Sequence, residues 1–538
     1  MSVYCEILQS RYADSVSLMN TAREVRQFEG VDDAALVMGT DANKHLLENA
    51  GMLTEEARMV APDDMILVVT GDSAQLEGAA RLAKELLQRR KAESPEQSYR
   101  AAPRTLIHSL RKHPEANLAV ISVAGAYAAP EARTALAYGL DVLLFSDNVS
   151  IAEEITLKQE AVKAGLLLMG PGAGTAILNG VALGFANAVP RGPVGIVSAA
   201  GTGLQEVSVL LARNGAGISQ AIGVGGRDLS DEVGGTMTFH ALNLLVEDKE
   251  TRVLLMISKL PSQQVSEKVI EKLNALPLPV VVIFMGPELE IPLVRNAAGS
   301  TVYQAATLHA AALAAVELAS GRDPVNLNQK LAEEATQLEN RARQVAREAL
   351  DNGDGGTARF GRGLFSGGTL CEEAMRIWER RLGPVWSNAP LHQEYRLPDS
   401  LKSQKHTILD LGEEEFTVGR PHPMIDNELR LKRLLQEAGD PSAALLQMDV
   451  VLGYGAHPDP ASELAPAVYK IKHPADGCTA LPIVLSITGT EADPQDYERQ
   501  RAQLLDAGAL VFESNAAASM YAAAYLQQLT GSGLSSNG

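Results

Sequence analysis

Two stretches of this sequence share a pattern able to hold an anion. The first, Gly195-Ile-Val-Ser198-Ala-Ala-Gly201-Thr202-Gly203-Leu-Gln-Glu206, runs an apolar strand into a helix start. The second, Arg362-Gly363-Leu-Phe-Ser366-Gly-Gly368-Thr369-Leu-Cys-Glu-Glu373, repeats it with one residue removed between Ser and Gly-Thr. Glycines permit close backbone approach, and Ser and Thr hydroxyls can cap a helix or donate to an oxyanion. The free N–H groups and dipole of a helix N-terminus favour an anion by roughly 0.3 to 1 kcal/mol each. Ser198, Gly201, Thr202 and Gly203, with Ser366, Gly368 and Thr369, are therefore candidate phosphate ligands. Gly172, Gly174 and Thr175 of the turn Gly170-Pro-Gly-Ala-Gly-Thr175 join them, as do Gly225 and Gly226. Glu206 fits a catalytic residue that orients the site, and equally a first-turn acid that complements the dipole. The same Ser, Gly and Thr also suit an ordinary βα turn that only bends and caps.

Charged candidates follow at the ends of two further strands. Gly223-Val-Gly-Gly226-Arg227-Asp228 follows the strand read at 219–224, and Gly419-Arg420-Pro-His422-Pro ends the strand read at 415–418. An Arg at the carboxyl end of a strand in a doubly wound sheet stands where ligands bind, and its forked guanidinium suits phosphate or carboxylate. Arg227 and Arg420 are thus candidate clamps, with pairing to Asp228 or Asp426 as the structural alternative. His422 is a candidate acid or base; a loop histidine such as His422 or His457 also serves as a plain polar turn residue. His309, in the Ala-dense run 305–319, reads as a core or interface residue. No P-loop, His-x-x-x-His or Gly-x-Ser-x-Gly pattern occurs, so no metal is assigned.

The two stretches begin a longer correspondence. Gly226-Arg227 answers Gly419-Arg420, and Gly299-Ser-Thr-Val-Tyr-Gln answers Gly508-Ala-Leu-Val-Phe-Glu, with offsets 368 − 201 = 167, 420 − 227 = 193 and 508 − 299 = 209. An offset that grows with order preserved is the mark of a duplicated domain whose second copy gained loop insertions.

These turns must be held by sheets. Apolar runs of four to eight residues alternate with helical periodicity along the whole chain, which implies parallel sheets covered by helices. The expected division is a small βαβ-type domain at 1–95, a linker at 94–103, a Rossmann-like domain at 104–190, a first sheet domain at 191–325, a helix and hinge at 326–357, and the second copy at 358–538. Within 104–190 a helix is expected from Pro130, and the Gly-x-Gly-x-x-Gly fingerprint is missing after the first strand. The last residues, 531–538, read as a frayed tail.

Composition narrows the partners. The formal charge of −19, from 66 acidic against 47 basic residues, argues against nucleic acid and anionic membrane surfaces. Three distant cysteines support neither a disulfide framework nor a zinc site. The N-terminus lacks a signal pattern, and no stretch of about 18 apolar residues occurs, so a cytoplasmic location is expected.

The motifs Ile121-Ser-Val-Ala-Gly-Ala-Tyr127, Asp147-Asn-Val-Ser-Ile-Ala-Glu-Glu154, Gly170-Pro-Gly-Ala-Gly174, Gly195-Ile-Val-Ser198-x-x-Gly201-Thr202 and Gly223-x-Gly225-Gly226 follow the order of those in the succinyl-CoA synthetase α subunit. With the extra N-terminal domain, the duplication, Gly-Gly-Arg-Asp-Leu-Ser and Gly-Arg-Pro-His-Pro-Met-Ile-Asp, the whole chain resembles the FdrA family. The resemblance implies an α/β multi-domain chain: a Rossmann-like CoA-binding-type domain plus two flavodoxin-like parallel-sheet ligase domains. In the synthetase a loop histidine carries phosphate; the matching stretches here, 284–299 and 488–507, hold none. The CoA-binding-type domain lacks its glycine-rich start, so CoA is not assigned as a cofactor. FdrA-type proteins are associated with oxamate carbamoyltransferase, which interconverts oxalurate plus phosphate with oxamate plus carbamoyl phosphate in anaerobic allantoin catabolism. The resemblance thus implies phosphate or carbamoyl phosphate as ligand, a ureido acid as substrate, and other transferase subunits as partners. An acyl-CoA synthetase-like enzyme and a non-catalytic scaffold are the alternatives.

Overall fold

The computed structural model describes the chain except residues 1, 10–14, 41–42, 45–46, 49, 62–63, 94–102, 104, 260, 286–293, 296–298, 352–357, 418–419, 475–479 and 531–538. The expected linker, most of the hinge and the C-terminal tail lie outside the described residues. Two compact units form, Met1–Pro103 with Glu414–His422, and Arg104–Glu413 with Pro423–Gly538.

In the first unit β1 (Ser2–Leu8), β2 (Val31–Met38) and β3 (Met65–Gly71) form a sheet of order β1-β3-β2. Both pairings are antiparallel. The parallel arrangement expected along the whole chain therefore fails here: β3 inserts between β1 and β2 and splits the βαβ unit. Every residue of β3 is buried, as a central strand covered on both faces requires. The strand read at 415–418 is also corrected, because Glu414–Thr417 is one helical turn.

The second unit opens with a parallel sheet β4-β5-β6, from Leu118–Ile121, Asp141–Leu144 and Leu168–Met169. Between the first two strands the helix begins at Gly125 rather than Pro130, which falls inside it. Pro130 is the sixth residue, past the N–H groups that have no intrahelical acceptor, so it removes one backbone hydrogen bond from the helix. Helix α1 (Ile151–Ala164) follows, capped by Ser150, whose hydroxyl accepts from Glu153 N–H.

An eight-stranded sheet comes next: β7 (Thr175–Leu178), β8 (Val181–Gly184), β9 (Arg191–Ser198), β10 (Ile218–Gly223), β11 (Val253–Lys259), β12 (Val280–Met285), β13 (Val294–Arg295) and β14 (Thr301–Gln304). Its order is β13-β14-β12-β11-β9-β10-β7-β8, with a parallel core from β14 to β10 and antiparallel edges. A five-stranded parallel sheet closes the chain, of order β16-β15-β17-β18-β19, from Phe360–Phe365 (β15), Thr407–Asp410 (β16), Ala443–Val451 (β17), Ile483–Thr488 (β18) and Leu510–Phe512 (β19). Numbered within each copy, both parallel cores run 2-1-3-4-5, the flavodoxin-like winding. Gly299 and Gly508, matched by sequence, both take left-handed φ just before the last strand of their copy.

The helices that matter for the site are α2 (Gly201–Arg213), α3 (Leu308–Ala319), α4 (Leu327–Asp351), α5 (Gly368–Leu382) and α6 (Asn515–Thr530). Helices α2 and α5 follow β9 and β15, the first strands of the two copies; α3 and α6 are the last helices. One apolar core runs through both copies, from Val207 and Leu211 of α2 through Ala311 and Ala315 of α3 to Met375 of α5 and Leu526 of α6.

Candidate functional site

Helix geometry leaves the N–H groups of Gly201, Thr202 and Gly203 without an intrahelical acceptor; the first closed turn is Leu204 N–H to Ala200 O, 2.9 Å. Some helices that begin with such orphans are capped by a side chain, as Ser262 caps the helix Gln263–Ala275 and Thr307 caps α3. Helices α2 and α5 have no side-chain cap: their N-cap residues are Ala200 and Gly367. The expected capping by Ser is corrected. Ser198 folds back on Ala200, donating to its carbonyl and accepting from its N–H.

The two uncapped ends face each other. Thr369 N–H donates to Thr202 Oγ1 at 3.3 Å, and a Cβ on Gly367 would stand 2.7 Å from the Thr202 methyl. A Cβ on Gly203 would stand 2.8 Å from the Thr369 methyl, so the glycines are what lets the helix ends approach. Gly201 and Gly368 are exposed beside the buried Thr202 and Thr369. Both turns lie at the carboxyl ends of the first strands, next to the point where strand order reverses, the usual ligand crevice of such sheets.

Around the α2 end the structure gathers the other turns named from sequence. A Cβ on Gly201 would meet only Thr175 Oγ1, at 3.7 Å. Thr175 spends its proton on Phe185 O at 2.6 Å. Gly172 and Gly225 both take positive φ, and Gly225 packs so closely on the Gly170-Pro171 backbone that a Cβ would stand 2.7 Å from Pro171 O. Gly174 turns between Phe145 and Phe185, and Gly226 is exposed near Ala199 O. These glycines shape the crevice wall.

The remaining assignments need correction. Ser366 is no free ligand: its N–H and hydroxyl donate to Asp449 at 2.8 and 3.0 Å, and Gly367 N–H donates to Asp449 at 2.9 Å. Asp449, buried in the middle of β17, acts as a built-in anion in the shorter turn and is paired in turn with the buried Arg430 at 3.2 Å. Glu206 does not line the crevice. Its carboxylate accepts from Asn515 N–H at 3.0 Å and from the Thr488 hydroxyl at 2.6 Å, which caps α6 of the other copy. Glu373 returns the favour, accepting from Leu308 N–H at the start of α3, 2.8 Å, and from Asn515 Nδ2, 2.9 Å. Each motif glutamate thus complements the dipole of the other copy's final helix. His309, on α3, lies 3.3 Å from Ser514 of the second copy, an interface residue as read.

Arg227 is committed elsewhere. It pairs with Glu154 at 2.7 Å and donates to Val149 O at 2.8 Å. Glu154 shares the fully buried Lys158 with Asp228, at 2.8 and 2.7 Å, and Asp228 also accepts from Thr238 N–H and its hydroxyl. This cluster bolts α1 to the loop after β10. Arg227→Ala is therefore expected to cost about 0.5 to 1 kcal/mol in a denaturant titration, since Arg227 is half-exposed, and to leave turnover unchanged; a hundredfold loss of turnover would restore it as a clamp. Arg420 and His422 fall in the first unit with Glu414–His422.

Sequence reasoning missed three groups. Asp410, at the end of β16, has its Oδ2 2.6 Å from where a Cβ on Gly368 would stand. Burial pushes its carboxyl up to about 7, helped by Glu413 and Asp449. Lys259, exposed at the end of β11, acts electrostatically on both Asp410 and Glu372. The third is Asp449. An acid inside a largely apolar strand was the available signal for it.

Burial also raises Glu373 to about 7, against the Leu308 and Asn515 hydrogen bonds that pull it down. A carboxyl raised above its unfolded value stabilises the fold below about pH 4.5 and loses that contribution as pH rises through about 7. Glu373→Gln should flatten the fall in stability over this range by up to about 1.4 kcal/mol per pH unit. Parallel stability-pH curves for the two proteins would refute the assignment.

In the first unit Cys5 is the one cysteine of residues 1–103, and among the described residues no three His, Cys, Asp or Glu side chains converge as a metal site. One cysteine supplies no thiolate pair for a heavy metal. At Gly125, the first turn of the β4–β6 domain, a Cβ would collide with the Asp147 and Asn148 carbonyl oxygens. That helix end lies close against the loop after β5. Among the described residues no helix is long and apolar enough to cross a membrane.

Comparison with known proteins places these features. Residues 364–525 match the family described as CoA-ligase, residues 191–286 the CoA binding domain, and residues 1–103 the domain described as AllF, heavy metal-associated. The uncharacterized protein YahF of Escherichia coli K12 is 42% identical over 518 residues, 96% of this chain and 97% of YahF. Subunit alpha 2 of the ADP-forming succinate–CoA ligase of Archaeoglobus fulgidus is 29% identical over 171 residues, 31% of this chain and 58% of that subunit. A solved ATP citrate lyase from Methanothrix soehngenii shares 17% identity over 42% of this chain and 41% of its own, with a TM-score of 0.34.

Proposed function

Because the chain belongs to the FdrA family, together with YahF, and is related to the CoA ligases, we propose that it makes or consumes an acyl phosphate at the facing helix ends of α2 and α5. It does so as an enzyme or as the phosphate-handling subunit of one. The observation that carries this reading is the pair of uncapped N-termini held face to face through Thr202 and Thr369. Phosphate lies against the N–H groups of Gly201, Thr202 and Gly203 and the open end at Gly368, with both helix dipoles aimed at it. Lys259 supplies the countercharge that Arg227, tied to Glu154, does not. A phosphate oxygen attacks a carbonyl carbon, and these fixed donors stabilise the charge that develops.

The acyl group has two readings. The chain has no histidine between His240 and His309 or after His473, which covers both stretches where the synthetase carries its phosphate. That favours direct phosphorolysis of a ureido acid: oxalurate plus phosphate giving oxamate plus carbamoyl phosphate, with further subunits completing the transferase. The CoA-ligase and CoA-binding matches favour the second reading, acyl transfer between a thioester and phosphate without a phosphohistidine.

Hydroxylamine traps acyl phosphates and separates these. The chain with its partner subunits is incubated with phosphate and hydroxylamine, and with either oxalurate or an acyl-CoA. Trapped product from oxalurate without CoA supports carbamoyl transfer; product only from the thioester, and only when both the chain and phosphate are present, supports the second reading, because hydroxylamine also attacks thioesters directly. No product from either, with no phosphate bound, contradicts the proposal and leaves a scaffold.

A further inference from the structure

One acid at the facing helix ends has an oxygen with no protein partner among the described residues. Asn388 grips the Asp410 backbone from both sides, accepting from its N–H and donating to its carbonyl, each at 2.9 Å. Gly412 N–H donates to Asp410 Oδ1 at 2.9 Å. The other oxygen, Oδ2, has no hydrogen-bond partner among the described residues. It is aimed at Gly368, the first residue of α5, although the side chain is only 6% exposed. Such a residue is expensive to keep, since burial and like charge both disfavour the carboxylate.

A carboxylate in this place offsets the pull of the two helix dipoles on a bound anion. It repels a fully ionised anion that the helix ends would otherwise attract. It accepts a hydrogen bond from an anion that brings its own O–H. We infer that Asp410 makes the facing helix ends of α2 and α5 selective for a proton-bearing oxyanion, hydrogen phosphate, over one without a proton, sulfate. This rests on the phosphate reading above and adds its specificity. One proton then lies between Asp410 Oδ2 and the bound anion.

The groups that set the charge of Asp410 are few. Glu413 on its own loop and Asp449 on β17 raise it, in addition to burial, and Lys259 on β11 pulls the other way, so the carboxyl changes state at about 7. Above that pH Asp410 is an acceptor and sulfate is excluded. Below it Asp410 carries the proton and donates to either anion, so the preference shrinks.

The test is calorimetric titration of the full chain with inorganic phosphate and with sulfate at about pH 8 and about pH 6, for wild type and D410N. Wild type should prefer phosphate by about ten- to a hundredfold at the higher pH, the worth of one charge-assisted hydrogen bond, and less at the lower. In D410N the amide donates to both anions, and the preference should fall towards one at either pH. Wild type that binds both anions equally at the higher pH, or D410N that keeps the full preference, overturns the inference while the phosphate reading stands. Wild type that binds neither overturns the phosphate reading itself. The wild-type pH series decides the matter even where D410N fails to fold.

Discussion

Replacing Asp449 by alanine is expected to destabilise the second copy by about 3 to 5 kcal/mol, the range for removing one partner of a buried ion pair. Three donors lose their acceptor at once: Ser366 N–H, its hydroxyl and Gly367 N–H. Arg430, itself only 2% exposed, is left as a buried charge beside the empty place. Asp449→Asn keeps one acceptor oxygen and should cost less. Adding Arg430→Met to the alanine variant should recover part of the loss, because the uncompensated charge goes with it. Urea unfolding monitored by tryptophan fluorescence reads the second copy, since both tryptophans, Trp378 and Trp386, lie in it and Trp378, on α5, donates to Gln447 of β17. An unchanged midpoint in Asp449→Ala would mean that the turn does not depend on its internal anion.

Gly201→Asp should do the opposite to stability and far more to function. A Cβ there has room, with Thr175 Oγ1 its nearest neighbour at 3.7 Å, so the fold survives. A carboxylate in the first turn of α2 complements the dipole and should stabilise by about 0.3 to 1 kcal/mol. The same carboxylate takes the place of the bound anion. Acyl phosphate turnover is therefore expected to fall by about two to three orders of magnitude, the scale of losing an oxyanion donor. A protein more stable and nearly inactive is the signature of a ligand site; a plain turn gives up neither. Full turnover in a folded Gly201→Asp would remove the α2 end from the chemistry.

Much of the architecture could be read before any coordinates. The Gly-Thr-x-x-x-Glu turn, recurring with an offset that grows, announced a duplication, and the two copies indeed wind their parallel strands in the same 2-1-3-4-5 order. Turn glycines were legible for the same local reason: Gly299 and Gly508 need positive φ wherever the copy sits. The sheet of the first unit was misjudged because strand direction depends on which strand inserts between which, and period-two patterning carries no direction.

The site was legible only in its backbone. Glycine spacing marked both helix starts, yet nothing local says that two starts 167 residues apart face each other through Thr202 and Thr369. The roles of the motif glutamates were hidden for the same reason, since Glu206 meets Asn515 across 309 residues of chain. Ser198 and Ser366 look alike in sequence, but Asp449 fills one turn from another strand and leaves the other open. Arg227 was plausible by position at a strand end; the acid that captures it, Glu154, comes from a different sheet's helix.

The central claim is that the facing ends of α2 and α5 form a phosphate site. Titration of inorganic phosphate into the full chain, wild type beside Gly201→Asp, tests it most directly. The account predicts one saturable binding event in wild type and its loss in the folded variant. Absence of binding in wild type, or equal binding in both, would contradict it.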